Sequence, residues 1–244
     1  GDITIPAGEI SSTVFDWFLI TADADAVPGN IQCTVTMTAG TDEYPYQEQE
    51  TINLDLTLSQ FGFPLDGIVV KSSPIVADLN SDGVKEIYFG SDYEALHGYN
   101  SFGEEIDGFP FQSTDRVRSS PAVGDVDNDG QMEIVFGNSS GKLYVVNHDG
   151  AQQLAYNILG FIEGSPALAD MDGDQDLEIF FTTTTTSGGQ LYAIHHNGIT
   201  MSGFPKELGS MWTGPAVHDI DNDGAYDIVC TTYDKEIYAV DVNG

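Results

Sequence analysis

Four short stretches of this chain set carboxylates at alternate positions, and that spacing suits one kind of chemistry. They read D-L-N-S-D-G-V-K-E from Asp78, D-V-D-N-D-G-Q-M-E from Asp125, D-M-D-G-D-Q-D-L-E from Asp170 and D-I-D-N-D-G-A-Y-D from Asp219. Their first residues lie 47, 45 and 49 positions apart. Acids two apart around a tight turn can aim their oxygens at one point, and a cage of oxygens binds a hard cation such as Ca²⁺. Such a cage draws side-chain oxygens from positions 1, 3 and 5, a backbone carbonyl from position 7 and a closing carboxylate from position 9. Copy one offers Asp78, Asn80, Asp82, the Val84 carbonyl and Glu86; copy two offers Asp125, Asp127, Asp129, the Gln131 carbonyl and Glu133. Copy three offers Asp170, Asp172, Asp174, the Asp176 carbonyl and Glu178; copy four offers Asp219, Asp221, Asp223, the Ala225 carbonyl and Asp227. One Ca²⁺ per loop, up to four in all, is the expectation.

The sixth position of such a loop turns with positive φ, which favours glycine. Gly83, Gly130 and Gly224 meet that need, whereas copy three has Gln175 and is expected to carry about 1 kcal/mol of strain or to be reshaped. An EF-hand is excluded. That loop closes with a bidentate Glu at position 12 and runs into a helix, but position 12 here is Phe89, Phe136, Phe181 or Cys230, each inside a β-forming run.

The charge balance fits the same chemistry. The chain has 39 acidic and 7 basic residues, a formal net charge of −32. Of the acids, 16 stand at odd positions of the four loops. Like charges packed this closely repel, so the folded state is expected to need cations. Seven basic residues rule out nucleic acid and anionic membrane surfaces as partners, because both require clustered Lys and Arg. Eleven Tyr and thirteen Phe are too many for a disordered acidic tail. No run of 18 apolar residues occurs, so no membrane-inserted helix is expected. Cys33 and Cys230 read as small core hydrophobes rather than a disulfide pair. The chain opens at Gly1 without Met or a signal peptide, which reads as a processed or excised piece of a longer protein.

The elements that must hold the loops follow from the flanking sequence. Each unit opens on a small residue and proline (Ser73-Pro74, Ser120-Pro121, Ser165-Pro166, Gly214-Pro215) and continues as I-V-A, A-V-G, A-L-A or A-V-H into the loop. A β-forming strand follows the loop: E-I-Y-F-G, E-I-V-F-G, E-I-F-F-T or D-I-V-C-T. A polar turn leads to a third strand, A-L-H-G-Y-N, K-L-Y-V-V-N, Q-L-Y-A-I-H or E-I-Y-A-V-D, and a variable fourth segment twice contains G-F-P. Four strands in 45 to 49 residues, repeated without any 3.6-residue period, predict an all-β fold of β-propeller blades. The repeats run over approximately 67–113, 114–160, 161–208 and 209–244 within a propeller region 59–244. Residues 1–58 lack the repeat. Their β-rich runs from Val14, Ile31 and Thr51, with turns at Val27-Pro28-Gly29-Asn30 and Ala39-Gly40-Thr41-Asp42, predict a small antiparallel sheet or part of a β-sandwich.

Ser120 to Gly137, S-P-A-V-G-D-V-D-N-D-G-Q-M-E-I-V-F-G, resembles the FG-GAP or VCBS-type repeat of integrin α-subunit propellers and of secreted bacterial proteins. Phe89-Gly90 and Phe136-Gly137 match the F-G of that name, while copies three and four have Phe181-Thr182 and Cys230-Thr231. The resemblance implies a Ca²⁺-bound propeller whose loops tie the first strand of each blade to the second. The runs Pro6 to Ser12 and Ile20 to Asn30 resemble the closing half of immunoglobulin-like modules of secreted bacterial proteins. Residues 57–66 repeat the G-F-P segment and either complete a four-bladed ring or belong to a larger one, which the family builds more often.

No nucleophile motif, zinc triad or phosphate loop is present, so no enzyme activity is expected. His195 and His196 are neighbours on a strand and should point to opposite faces, against a shared metal; His218, next to Asp219, is read as a hydrogen-bonded structural residue. Thr182–Thr186 is expected to be an extended strand and turn, with O-glycosylation as the other reading, and Asn138-Ser139-Ser140 is a formal N-glycosylation acceptor. The function expected is an extracellular calcium-binding module, secreted or at a cell surface, that serves adhesion or scaffolding through a protein or glycan partner. The alternative is a carbohydrate-binding module of a polysaccharide-processing protein, with Tyr93, Tyr99 and Trp212 as candidate stacking residues.

Overall fold

The computed structural model of the protein describes residues 29–41 and 44–56 as paired backbone and residues 62–241 in full. The chain divides into two compact units, Gly1–Gln60 and Phe61–Gly244. The described part of the first is one antiparallel pair, β1 (Gly29–Thr41) and β2 (Tyr44–Leu56), in register from Gly29↔Leu56 to Thr41↔Tyr44. A two-stranded sheet stands where a sheet or half-sandwich was expected, and its strands are longer than the sequence suggested. Gly29, Asn30 and Ala39 to Thr41, expected in turns, are strand residues. The run from Val14 and the two segments resembling an immunoglobulin-like module, apart from Gly29 and Asn30, lie outside the described residues.

The second unit is all-β and built of four antiparallel sheets. Blade one comprises β3 (Ile75–Ala77), β4 (Glu86–Gly90), β5 (Ala95–Tyr99) and β6 (Phe111–Gln112). Blade two comprises β7 (Ala122–Gly124), β8 (Glu133–Gly137), β9 (Lys142–Asn147) and β10 (Gln152–Asn157). Blade three comprises β11 (Ala167–Ala169), β12 (Glu178–Thr182), β13 (Gln190–Ile194) and β14 (Lys206–Glu207). Blade four has three described strands, β15 (Ala216–His218), β16 (Asp227–Thr231) and β17 (Ile237–Asp241). Strands pair in chain order within every sheet, so each acidic loop is the hairpin between the first and second strands of its blade.

Blades pack face against face, which explains why the second strands read as unbroken apolar runs rather than alternating ones. Ile134, Phe136, Tyr144 and Val146 of blade two pack against Tyr88, Leu96 and Phe109 of blade one. The opposite face, Val135, Leu143 and Val145, packs against Ile179, Phe181, Tyr192 and Ile194 of blade three. Blade three's other face, Phe180, Leu191 and Ala193, meets Ile228, Cys230, Tyr238 and Val240 of blade four. Position 12 of each repeat pairs across the strand with an aromatic residue: Phe89↔His97, Phe136↔Tyr144, Phe181↔Tyr192 and Cys230↔Tyr238. Three of these pairs stack, Phe89–His97 at 5.3 Å, Phe136–Tyr144 at 5.2 Å and Phe181–Tyr192 at 4.9 Å between ring centres. Such pairs contribute roughly 1 kcal/mol beyond their buried area. Cys230 takes the aromatic place in blade four as a buried free thiol.

Blade four's remaining face is open, with Ile237 76% exposed, where its counterpart Leu143 in blade two is fully covered. The G-F-P glycine at 62 bears on Gly103 after blade one's third strand as Gly108 bears on Gly150 after blade two's.

The small residue before each proline has a packing reason. A Cβ on Gly214 would lie 1.9 Å from the Ser165 carbonyl oxygen, and the Ser73 N–H donates to Ser120 Oγ at 2.8 Å. These steps meet where neighbouring blades touch. The glycine of F-G does similar work further out: a Cβ on Gly137 would fall 2.1 Å from Ile162 Cγ2 of the next unit. Thr182 replaces that glycine in blade three and donates its hydroxyl to the Thr213 carbonyl at 2.6 Å. Close contact between blades is replaced by a hydrogen bond.

Candidate metal centre

The four loops share a wiring made of their own carboxylates. In loop two, Asp125 accepts the N–H groups of Asp129 and Gly130, both at 3.0 Å, and Asp129 accepts that of Gln131 at 2.8 Å. Loop one repeats this with Asp78 accepting from Asp82 and Gly83 at 3.0 and 2.9 Å, and Asp82 from Val84 at 2.7 Å. Loop four does so with Asp219 accepting from Asp223 and Gly224 at 3.2 and 3.0 Å, and Asp223 from Ala225 at 2.8 Å. Position 1 thus folds the loop and position 5 sets position 7, so short acids act as turn formers as well as ligands. The ninth residue reaches back to the N–H of position 2: Val126 to Glu133 at 3.0 Å, Met171 to Glu178 at 2.8 Å and Ile220 to Asp227 at 3.1 Å.

Two positions in each loop carry left-handed backbone, one more than the sequence reading found. Position 6 does so at Gly83, Gly130, Gln175 and Gly224, and position 4 at Ser81, Asn128, Gly173 and Asn222. Asn is among the side chains that tolerate this region best. Loop three has its glycine two places early, and Gln175 holds φ at +82°. As a result Asp170 accepts from Gly173 at position 4, at 2.7 Å, in place of position 5, and keeps the N–H of position 6, Gln175, at 3.2 Å.

The carboxylates that come together therefore differ between loops. Asp125, Asp127 and Glu133 bring one oxygen each within 4.8 Å of one another, and Asp219, Asp221 and Asp227 repeat positions 1, 3 and 9 in loop four. Loop three instead groups Asp170, Asp172 and Asp174, then Asp174, Asp176 and Glu178, and finally Asp172, Glu178 and His195. In loop one, Asn80 stands at position 3 and its amide donates to Asp82 at 3.1 Å. A cleft of about 460 Å³ opens beside it, lined by Asn80, Asp82, Glu86, Asp107 and His148 among others.

Three of the four closing acids are buried, and Asp227 is partly buried. Glu86, Glu133 and Glu178 are 5%, 2% and 0% exposed. Burial pushes all three carboxyls above the ordinary Glu value, Glu133 to about 7, with the loop aspartates adding to the rise. The backbone N–H from position 2 opposes it. Two buried oxygens here lack a hydrogen-bond partner, Asp127 Oδ1 in loop two and Asn147 Oδ1 at the end of β9. Asn147 lies directly across the strand pair from Glu133. Three convergent carboxylates, one with an unsatisfied oxygen and one desolvated, fit the donor set of Ca²⁺.

That cross-strand place is one the loop spacing does not contain. Asp241 occupies it opposite Asp227, and in blade three His195 follows the Ile179↔Ile194 pair. His195 Nδ1 is 3.0 Å from Glu178 Oε1 and 3.9 Å from Asp172 Oδ2, while His196 Nδ1 is 2.6 Å from Asp176 Oδ2. Both histidines follow the end of β13 at Ile194, and they engage different carboxylates.

Other readings are corrected by burial. Asn138 is fully covered and its amide donates to Ser113 Oγ and Thr114 Oγ1, so the sequon presents no free acceptor in the fold. Thr182, Thr183 and Thr184 are buried, with Thr184 donating to the Met211 carbonyl at 2.6 Å, which leaves only the end of that run for modification. Tyr93 and Trp212 are exposed, but Tyr99 is buried in a stack with Phe89 and His97. His218 is exposed. Among the described residues no helix is long and apolar enough to cross a membrane.

Four-stranded antiparallel blades with an acidic first hairpin define a β-propeller-type repeat protein. Residues 125–181, from loop two into β12, match the family model of the FG-GAP-like repeat. No curated protein matches the chain. Among solved structures it is similar to BBS1N in a complex with ARL6DN soaked with lead, at 12% identity and a TM-score of 0.54, covering 73% of this chain and 53% of that one. It is also similar to BamB from Moraxella catarrhalis, at 14% identity and a TM-score of 0.52, covering 78% and 54%. The chain spans about half the length of these β-propeller-like relatives, and at such identity the likeness is one of fold alone. The V. cholerae biofilm matrix protein Bap1 aligns at 19% identity over 72% of this chain and 38% of that one, with a TM-score of 0.43, too low to bear on function.

Proposed function

We propose that this chain is an extracellular, calcium-loaded propeller module that serves adhesion or scaffolding in a secreted or surface protein and has no catalytic role of its own. The observation that carries the reading is the convergence of positions 1, 3 and 9 in loops two and four, with the ninth carboxylate of loop two, Glu133, buried beside its neighbours' negative charge. An ion there would neutralise three carboxylates at the hairpin between the first two strands, and Asp127, Asn147 and Glu133 would hold it with Asp125 in loop two. Its contribution is electrostatic and structural. Millimolar calcium, as found outside cells, fills even weak sites of this class.

The absence of a catalytic role is supported by where the perturbed acids stand. The three carboxyls raised by burial are all ninth residues of loops, not a pair facing an open cleft. The partner proposed is a protein or glycan of the surface or matrix. Calcium titration followed by calorimetry, together with melting in chelator, tests the cation. Binding of up to four ions and a melting temperature lowered by chelator are expected; no binding and an unchanged melt refute it. Binding of one sugar class on a glycan array would move the partner from protein to carbohydrate.

A further inference from the structure

Loop three departs from the other loops in three ways that converge on one point. Its glycine stands at position 4 instead of 6, its position 1 acid hydrogen-bonds a different N–H, and its ninth residue turns towards an imidazole. At the corresponding place blade two carries Asn147 and blade four Asp241, side chains that offer only oxygen to a metal. Blade three offers a ring nitrogen.

We infer that loop three is a site for a divalent first-row transition ion of the zinc class, held by His195, Glu178 and Asp172. The inference builds on the reading of the loops as cation sites and changes the ion assigned to one of them. Zinc takes imidazole nitrogen and carboxylate oxygen at about 2.1 Å, so two of its ligands lie no more than about 4.2 Å apart. The Nδ1–Oε1 and Nδ1–Oδ2 separations of 3.0 and 3.9 Å satisfy that limit, and the three donor atoms all lie within 4.8 Å of one another. Glu178 is fully buried, so its carboxylate has no water with which to exchange its partners. Calcium prefers an all-oxygen shell, whereas imidazole suits zinc, cobalt, nickel and copper. His196, paired with Asp176, lies beside this trio and supplies none of its atoms.

The experiment is competitive titration of the whole chain with Co²⁺ and then Zn²⁺ in millimolar Ca²⁺, read by the visible absorption of cobalt. One His195-dependent ion per chain is expected. His195→Asn, which installs the residue that blade two carries there, should weaken zinc more than about 100-fold, beyond the 10–100-fold that follows loss of a group merely supporting a ligand. His196→Asn should keep the site. X-ray absorption at the zinc edge of the unsubstituted protein should show one imidazole, and this readout does not depend on any variant folding. Zinc with no nitrogen in its shell, or zinc bound equally well by His195→Asn, overturns the inference. Calcium bound to the other loops without a His195-dependent cobalt band also overturns it and leaves the calcium reading intact. A His195-dependent band with no calcium bound anywhere does the reverse.

Discussion

Replacing Glu133 by Gln should stabilise the calcium-free protein and destabilise the calcium-loaded one. Glu133 is 2% exposed and its carboxyl is pushed up to about 7, chiefly by burial and then by Asp127, Asp129 and Asp125. An acid whose folded value is raised contributes stability that is complete below its unfolded value and lost as pH rises through the folded one. For Glu133 that window runs from 4.5 to about 7. The full shift corresponds to about 3 kcal/mol at 1.36 kcal/mol per unit, and about 2 kcal/mol after allowing for water at the mouth of the loop. The substituted amide would keep an oxygen for the Val126 N–H and carry no charge. In chelator the variant should therefore match the unsubstituted protein at about pH 4, below the window, and exceed it by about 2 kcal/mol at about pH 8. Calcium at a hundred times its dissociation constant adds about 2.7 kcal/mol to the protein that binds it. If the amide forfeits most of that gain, the variant falls behind by roughly 1 kcal/mol in saturating calcium. Urea unfolding at both pH values, with chelator and with calcium, measures all four differences. A variant less stable in chelator at pH 8, or one that gains from calcium as much as the original, refutes the reasoning.

Two further outcomes follow from the same geometry. Gly137→Ala should cost about 1–3 kcal/mol by driving a methyl into Ile162, whereas Gly130→Ala, with open space around it, should cost only the ~1 kcal/mol of left-handed backbone; urea midpoints that reverse this order would show the blade contact to be slack. Expression in a glycosylating host should leave Asn138 unmodified, because it is covered and its amide is engaged, and a glycan mass on the peptide carrying it would contradict that burial.

The blade architecture was legible because its information is local. The first and second strands of all four repeats begin and end where the sequence placed them, since apolar runs and loop acids follow one another at fixed offsets along the chain. Position 6 was legible for the same reason: a turn with positive φ selects glycine at the position itself. The left-handed residue at position 4 was missed because Asn, Ser and Gly all serve there and no single residue type marks it. The O-glycosylation reading fails at Thr184 on a relation outside the run: Thr184 bonds to Met211, 27 residues on.

The loops themselves show where local reading stops. Spacing alone presents them as four copies of one site. Their differences arise from what lies across the sheet and from the neighbouring blade, contacts that no offset within nine residues encodes. His195 stands 17 residues from Glu178 and enters the site because the strand pair brings it there. Val126 gives its N–H to Glu133 of its own loop and accepts that of Leu177, which precedes Glu178 of the next, at 3.0 Å each. The backbone of one residue thus touches the closing acid of loop two and the residue beside that of loop three. Any ion that draws Glu133 inward acts on a carbonyl and amide shared with the adjacent blade, so the unit held by such an ion is the junction between blades as much as the loop.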